Sequence, residues 1–325
     1  MRAAQVVTPS GPSHVVVNDV PEPTPGADEV LIEVHRVGIS FPDLLLSQGQ
    51  YQLTPEPPFT LGVDFAGTVA EPASSGAGGF AAGQRVAGVL PYGGAAELVA
   101  CPAVSAFPLP DAMSYDEGAA LPMNYLTAHF ALAERGGLRA GETVLVHGAA
   151  GGVGTATIQV ARGLGARTIA VVSTDAKGEV AAAAGADEVV LLDGFKDTVK
   201  RVTGGHGVDV VLDVVGGEVF TDSLRCLAPQ GRLLVVGFAS GQGIPEVKVN
   251  RLLLNNVDVR GVGWGAYAMV RPGYMVEQWD ALVPLMESGV IAPPVGATYD
   301  LVDFGQALQD LADRKALGKS VVRVR

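Results

Sequence analysis

Cysteine is nearly absent from this chain: Cys101 and Cys226 are the only two in 325 residues, and neither lies in a C-x-x-C spacing. That excludes a disulfide framework and a four-thiolate zinc lobe. Basic residues are also scarce, with 22 Lys and Arg against 34 Asp and Glu, a net charge of −12, and no Lys/Arg run to offset it. The chain therefore lacks the electrostatic footprint of a nucleic-acid or anionic-lipid binder. No apolar run reaches about 18 residues without a charge, Gly or Pro, so no membrane-spanning helix is expected. The opening MRAAQVVTPSGPSHVVV lacks the basic and continuous apolar regions of a secretory signal, and a cytoplasmic location is the expectation. What is abundant is hydrophobic residues at 48%, with 43 Gly and 21 Pro. Without a G-X-Y period, that reads as a loop-rich globular protein. At about 150 residues per domain, two domains are expected.

The pattern changes twice along the chain. Residues 1–125 read as short strands between Pro and Gly punctuation, among them the alternating Val30, Ile32 and Val34, then VDFAGTVAE and QRVAGVL. Residues 126–264 alternate strand and helix: TVLVHG, a helix with Val153, Ala156, Val160 and Leu164 on one stripe, RTIAVVS, EVVLL, VDVVLDVVGG, GRLLVVG and VDVRGVG. Continuous apolar strands of this kind are buried on both faces of a parallel sheet, so the fold class is α/β with a doubly wound parallel sheet. Residues 265–325 continue neither the rhythm nor the sheet. They carry a helix with Val276, Trp279, Val283 and Met286 on one face, a second helix starting at Asp303 with Gln306 in capping-box spacing, and a closing strand KSVVRVR. This segment is assigned back to the N-terminal module, which makes that module discontinuous.

The strongest chemical signal is ETVLVHGAAGGVGTATIQVARGLGA, where a buried strand runs into Gly148, Gly151, Gly152, Val153 and Gly154 and a helix follows at once. A turn without Cβ atoms and a helix N-terminus present free N–H groups and a positive dipole end to a pyrophosphate, the geometry of a Rossmann dinucleotide site. NAD sites place an acid about 20 residues on, at the end of the next strand. Here Ser173 and Thr174 stand at that place with Lys177 one turn later, a set able to bind a 2′-phosphate, so NADPH is the expected cofactor. Asp175 can instead face the ribose, and Lys177 can be an ordinary solvated residue. Val214, Val215, Gly216, Gly237 and Phe238 follow the ends of two later strands, the edge where ligands of such sheets bind, and are expected around the nicotinamide. Asp213 shapes that turn. His147, in the apolar strand before the glycines, reads as a satisfied core residue rather than a base.

AAGGVG, VGISFPDLLLSQGQY, PFTLGVDFAGTV, YGGAAELV and LPMNYLTAHFAL together resemble the zinc-independent quinone oxidoreductases of the medium-chain dehydrogenase/reductase superfamily over nearly the whole chain. The resemblance implies a GroES-like β-rich catalytic domain split around a Rossmann domain, and a homodimer or homotetramer often joined through the edge strand, here VDVRGV. Where zinc-dependent relatives carry Cys this chain has Ser40, and where they carry Gly-His-Glu it has Gly62, Val63 and Asp64, so no zinc is expected. Many zinc-free relatives have Asn at the position of Ser40, a departure that shifts weight to Asn124 and Thr127.

The activity so implied is zinc-free hydride transfer from NADPH to a quinone. An electrophilic quinone needs alignment and hydrogen bonds to the developing oxyanion rather than a dedicated nucleophile. Ser40, Tyr51 and Asn124 are the expected catalytic groups, with Thr127 on the cofactor side. Tyr51 can instead be a packed aromatic, and Asp43 is read as holding the shape of its loop. Two alternatives stay open: an enone, alkenal or enoyl-thioester reductase using the same geometry, and an NADPH-binding crystallin-like or RNA-binding protein, the last disfavoured by the charge.

Overall fold

The apolar segments after residue 140 form the six strands of one wholly parallel sheet. Their spatial order is Glu188–Leu191, Arg167–Val172, Thr143–His147, Val208–Asp213, Leu227–Val235 and Asp258–Gly261. Val144, Leu145, Val146, Ile169, Val210, Val211, Leu233 and Leu234 are all buried, as strands covered on both faces require. The order reverses between Thr143–His147 and Val208–Asp213, the topological switch point at which ligands of doubly wound sheets bind. The computed structural model describes residues 1–325. No helix in it is long and apolar enough to cross a membrane.

The chain divides into two compact units. The parallel-sheet unit comprises Asn124–Arg271 and Pro284–Ala292; the other comprises Met1–Met123, Pro272–Val283 and Pro293–Arg325. This grouping differs in detail from boundaries at 125/126 and 264/265. Residues 284–292 join the parallel-sheet unit because Gln159 exchanges two hydrogen bonds with Ala292, of 2.8 and 3.0 Å. Residues 272–283 join the other because Trp279 stacks on Phe107 at 4.8 Å and donates its indole N–H to the Pro108 carbonyl.

The second unit is built on a seven-stranded sheet in which Lys319–Arg323 pairs with Glu29–Gly38, and Glu29–Gly38 with Asp64–Glu71. A three-stranded sheet accompanies it, and Val30, Ile32, Val34, Phe65, Val86 and Val322 share its core with Phe304 and Leu308 of the helix Phe304–Ala312. That helix lacks the expected capping box: Asp303 ends a preceding turn and makes no side-chain cap, and Gln306 bonds Asp310 instead.

Within the parallel-sheet unit, two buried polar residues, His147 and Arg232, each hold a partner. His147 lies 2.7 Å from Ser223 Oγ with its ring edge-on to Phe195, and burial lowers its pKa to about 4. It is a neutral core residue. Arg232 grips the Glu142 carboxylate with both terminal nitrogens, at 2.8 and 2.6 Å, and donates to the carbonyls of Gly136, Gly137 and Asp209. The hydrogen bond from Arg232, ahead of the opposing effect of burial, holds the Glu142 carboxyl below its usual range. A depressed carboxylate stabilises the fold above its unfolded pKa, and that stability is lost as pH falls through the folded value. Arg232→Met should therefore cost about 1.5–3 kcal/mol at pH 7 by removing the charged hydrogen bonds to the partly exposed Glu142 and to three carbonyls. The gap between variant and wild-type urea midpoints should narrow as pH drops below the carboxylate range; a gap independent of pH would contradict the pairing.

Candidate functional site

In the parallel-sheet unit, the strand Thr143–His147 passes through Gly148 and Gly151 into the helix Gly152–Gly163. Its N-cap residue, Gly151, has no side chain to cap the helix, and the first turn holds no acid. Its leading N–H groups and dipole end are thus left for an external anion. Gly154 permits the tight approach of helix to strand, since a Cβ there would overlap the Gly148 carbonyl oxygen. Thr155 and Thr157 return their hydroxyls to the carbonyls of Gly151 and Val153, so the helix can be buried on nearly every side. Asn124 is buried and packs on Gly152, where an added Cβ would fall 2.6 Å from its Nδ2. Thr127 follows it, also buried.

At the end of the next strand, Ser173 and Thr174 are exposed, and Lys177 Nζ reaches Ser173 Oγ at 3.3 Å. Thr174 has a structural task as well: its hydroxyl caps the helix Asp175–Ala183 by accepting from Lys177 N. Across the switch point, Asp213 Oδ1 accepts the N–H groups of Val215 and Gly216 at 2.8 and 2.9 Å. Its other oxygen, Oδ2, is buried without a partner, and burial raises its pKa. Ala239 N–H and Ser240 N–H bond the carbonyls of Val214 and Val215, which draws the Gly237–Phe238 turn beside them, with the Phe238 ring partly exposed. An uncapped helix start, a hydroxyl and ammonium pair one strand away and an unmet buried oxygen at the same sheet edge form a donor and acceptor set that fits a phosphorylated dinucleotide.

The other unit holds a closed polar cluster. Ser40 follows the strand Glu29–Gly38 and is the N-cap residue of the helix Phe41–Ser47. Its hydroxyl donates to Asp64 Oδ2 at 2.8 Å and accepts from Lys319 Nζ at 2.6 Å. Lys319 also reaches Asp64 Oδ2 at 2.6 Å; the two charged side chains are 5% and 0% exposed. Asp64 Oδ1 accepts the N–H of Met123. Asp43, fully buried, takes the N–H of Gly62 on one oxygen and of Ser40 on the other, which is the loop-shaping role expected of it. Burial pushes its pKa up to about 7, against the opposing pull of the Gly62 N–H. Tyr51 is half-buried against the core of this unit; burial, then the Asp43 charge, raises its pKa.

Asp64 as a paired charge and Lys319 as its partner escaped the sequence reading. A signal was present, because each is a charge inside an apolar strand segment, VDFAG and KSVVR, and buried charges need partners. Their pairing is across three strands and 255 residues, beyond the reach of local pattern.

Residues 26–111 match the alcohol dehydrogenase GroES-like domain family and residues 152–288 the zinc-binding dehydrogenase family. The second name implies a metal that the side chains here do not fit: no group of three or more His, Cys, Asp or Glu is arranged to hold one, and Asp64 is engaged by an ammonium. The chain is 38% identical over 300 residues to quinone oxidoreductase-like protein 2 of Bos taurus, covering 91% of this chain and 85% of that one. A probable oxidoreductase from Mycobacterium abscessus superposes with a TM-score of 0.90 at 44% identity, over 100% of this chain and 99% of the other. Escherichia coli quinone oxidoreductase complexed with NADPH does so with a TM-score of 0.89 at 29% identity, over 100% of both chains. The chain belongs to the quinone oxidoreductase-like family of the medium-chain dehydrogenase/reductase superfamily.

Proposed function

We propose that this protein is an NADPH-dependent oxidoreductase that reduces quinones without a metal. The observation that carries the reading is the uncapped, acid-free start of the helix Gly152–Gly163 at the switch point of a doubly wound sheet. The family and the NADPH complex of the E. coli relative support it. The N–H groups around Gly151, Gly152, Val153 and Gly154 take the pyrophosphate, and Ser173, Thr174 and Lys177 take the 2′-phosphate. Val215, Gly237 and Phe238 border the nicotinamide, with Asn124 and Thr127 on its polar side. Bound NADPH supplies two electrons and one proton, and solvent supplies the second proton. The chain contributes alignment and hydrogen bonding: Tyr51 donates to the reacting carbonyl, Ser40 lines the site beside the reacting pair, and no side chain need form a covalent bond to the carbonyl. The net charge of −12 works against nucleic acid as a partner.

The same reading includes a homodimer. The strand Asp258–Gly261 is the outer edge of the parallel sheet, and beside it the helix Asn250–Asn255 buries none of its residues. Leu253 and Leu254 of that helix are 75% and 73% exposed, and Val249 and Ile244 are similarly bare. Unpaired strand edges and contiguous apolar side chains favour association with a second copy.

Three measurements test this function. NADPH oxidation with 1,4-benzoquinone, 9,10-phenanthrenequinone, methyl vinyl ketone and crotonyl-CoA should show turnover on the quinones. In that assay Tyr51→Phe should lower kcat/KM roughly 10- to 100-fold, equivalent to about 1.4–2.7 kcal/mol, and unchanged rates would return Tyr51 to a packing role. Lys177→Ala should weaken NADPH binding by about 1.5–3 kcal/mol while leaving NADH nearly unaffected. Equal weakening of both cofactors would refute the phosphate contact. Finally, Leu253→Glu combined with Leu254→Glu should convert a sedimenting dimer into a monomer; an unchanged sedimentation coefficient would remove that face from the interface.

A further inference from the structure

Ser40 is expected as a catalytic group, and the cluster around its hydroxyl constrains what it can offer. A serine hydroxyl has one proton and two acceptor sites. In Ser40 the proton is given to Asp64 Oδ2 and one acceptor site is filled by Lys319 Nζ. One acceptor site is left. The arrangement is held rigidly, because three adjacent strands contribute one member each: Lys319 heads Lys319–Arg323, Ser40 follows Glu29–Gly38, and Asp64 heads Asp64–Glu71. Gly38 pairs with Val321 on one side and with Asp64 on the other. It also makes room for the lysine, since a Cβ at Gly38 would overlap the Ala119 carbonyl oxygen and fall 2.7 Å from Lys319 Cε. The backbone on both sides of the lysine is pinned as well, by Lys319 N–H to the Pro294 carbonyl at 2.8 Å and Ile39 N–H to the Ser320 carbonyl at 2.9 Å.

We propose that Lys319 is a positioning residue of the reaction: with Asp64 it locks the Ser40 hydroxyl so that Ser40 meets the reacting pair as a hydrogen-bond acceptor, facing an N–H or O–H donor. This rests on the reading of Ser40 as a residue of the quinone-reducing site. Lys319 itself touches neither cofactor nor quinone and acts through Ser40. Its ammonium is the cation that Ser40, at the position of the zinc branch's Cys, and Asp64, at the position of the Glu in Gly-His-Glu, are built around in this chain.

Lys319→Met alone strands a buried carboxylate and can unfold the unit, so the pair is neutralised together as Asp64→Asn/Lys319→Met, which keeps an amide beside Ser40. That variant should bind NADPH with unchanged Kd and leave KM for 1,4-benzoquinone within a few-fold, while kcat falls on the order of 10²-fold, the effect of a misplaced group on an aligned reaction. Ser40→Ala should lower kcat comparably. The triple variant should lose no more than Ser40→Ala does, because Lys319 acts only through that hydroxyl. Multiplied losses, or an undiminished kcat in the neutralised pair, would overturn the proposal. A second readout needs neither cofactor nor turnover. In the ¹⁵N spectrum of lysine ammonium groups, one protected resonance should vanish in the neutralised pair and shift in Ser40→Ala. A resonance that Ser40→Ala leaves unmoved would also overturn the proposal. Absence of quinone turnover in the unmodified enzyme would refute the proposed function, and the ammonium resonance would still decide the Lys319–Ser40 coupling.

Discussion

A carboxylate and an ammonium removed from water have to stay together, and the contact between Asp64 and Lys319 imposes that requirement on its whole unit. Separating such a pair leaves an uncompensated buried charge, at a cost of about 3–5 kcal/mol. The lysine belongs to the final strand and the aspartate to a strand far earlier, so the pair requires the end of the chain to return to the sheet begun by its first residues. The Ser40 hydroxyl and the Met123 N–H then meet the Asp64 carboxylate, and the neighbouring Asp43 carboxylate takes the N–H groups of Ser40 and Gly62. The discontinuity of this unit thus has an electrostatic component as well as the hydrophobic one supplied by Val322 and Phe304.

The parallel-sheet unit follows an opposite rule at its functional edge. Buried polar groups in its interior have partners, Arg232 on Glu142 and His147 beside Ser223, yet its glycine turn leaves the start of a helix without a side-chain cap and Asp213 Oδ2 unmatched. Groups left unmatched inside an otherwise satisfied structure are where an incoming polar ligand gains most, because they have no internal bond to surrender. The two units differ accordingly: one keeps its charges paired and fixes a hydroxyl, and the other leaves a helix start and a carboxylate oxygen without internal partners.

Much of this was legible in the residues. Parallel strands were readable because a strand covered on both faces must be apolar throughout, as VLV and IAVV are. The nucleotide turn was readable because glycine and an uncapped helix start are adjacent in sequence. His147 as a core residue and Asp43 as a loop residue could be inferred from neighbours alone. The Asp303 capping box was not delivered: spacing made it available, but the turn Leu301–Asp303 gave that residue another conformation and Asp310 took Gln306. The helix Tyr274–Glu287 had a readable apolar face, while the assignment of its ends to different units depended on Trp279 finding Phe107 and Gln159 finding Ala292.

By itself, then, the sequence determined what local rules can express: strand and helix periods, the glycine turn that leads into a helix, the lack of zinc-type ligands and the hydroxyl and ammonium set at the end of the next strand. Tertiary structure alone decided what Ser40 can do. Its proton and one of its lone pairs are claimed by Asp64 and Lys319. Hydrogen-bonding capacity is a property of the atoms within about 3 Å, and here those atoms come from strands brought side by side only by the folded sheet.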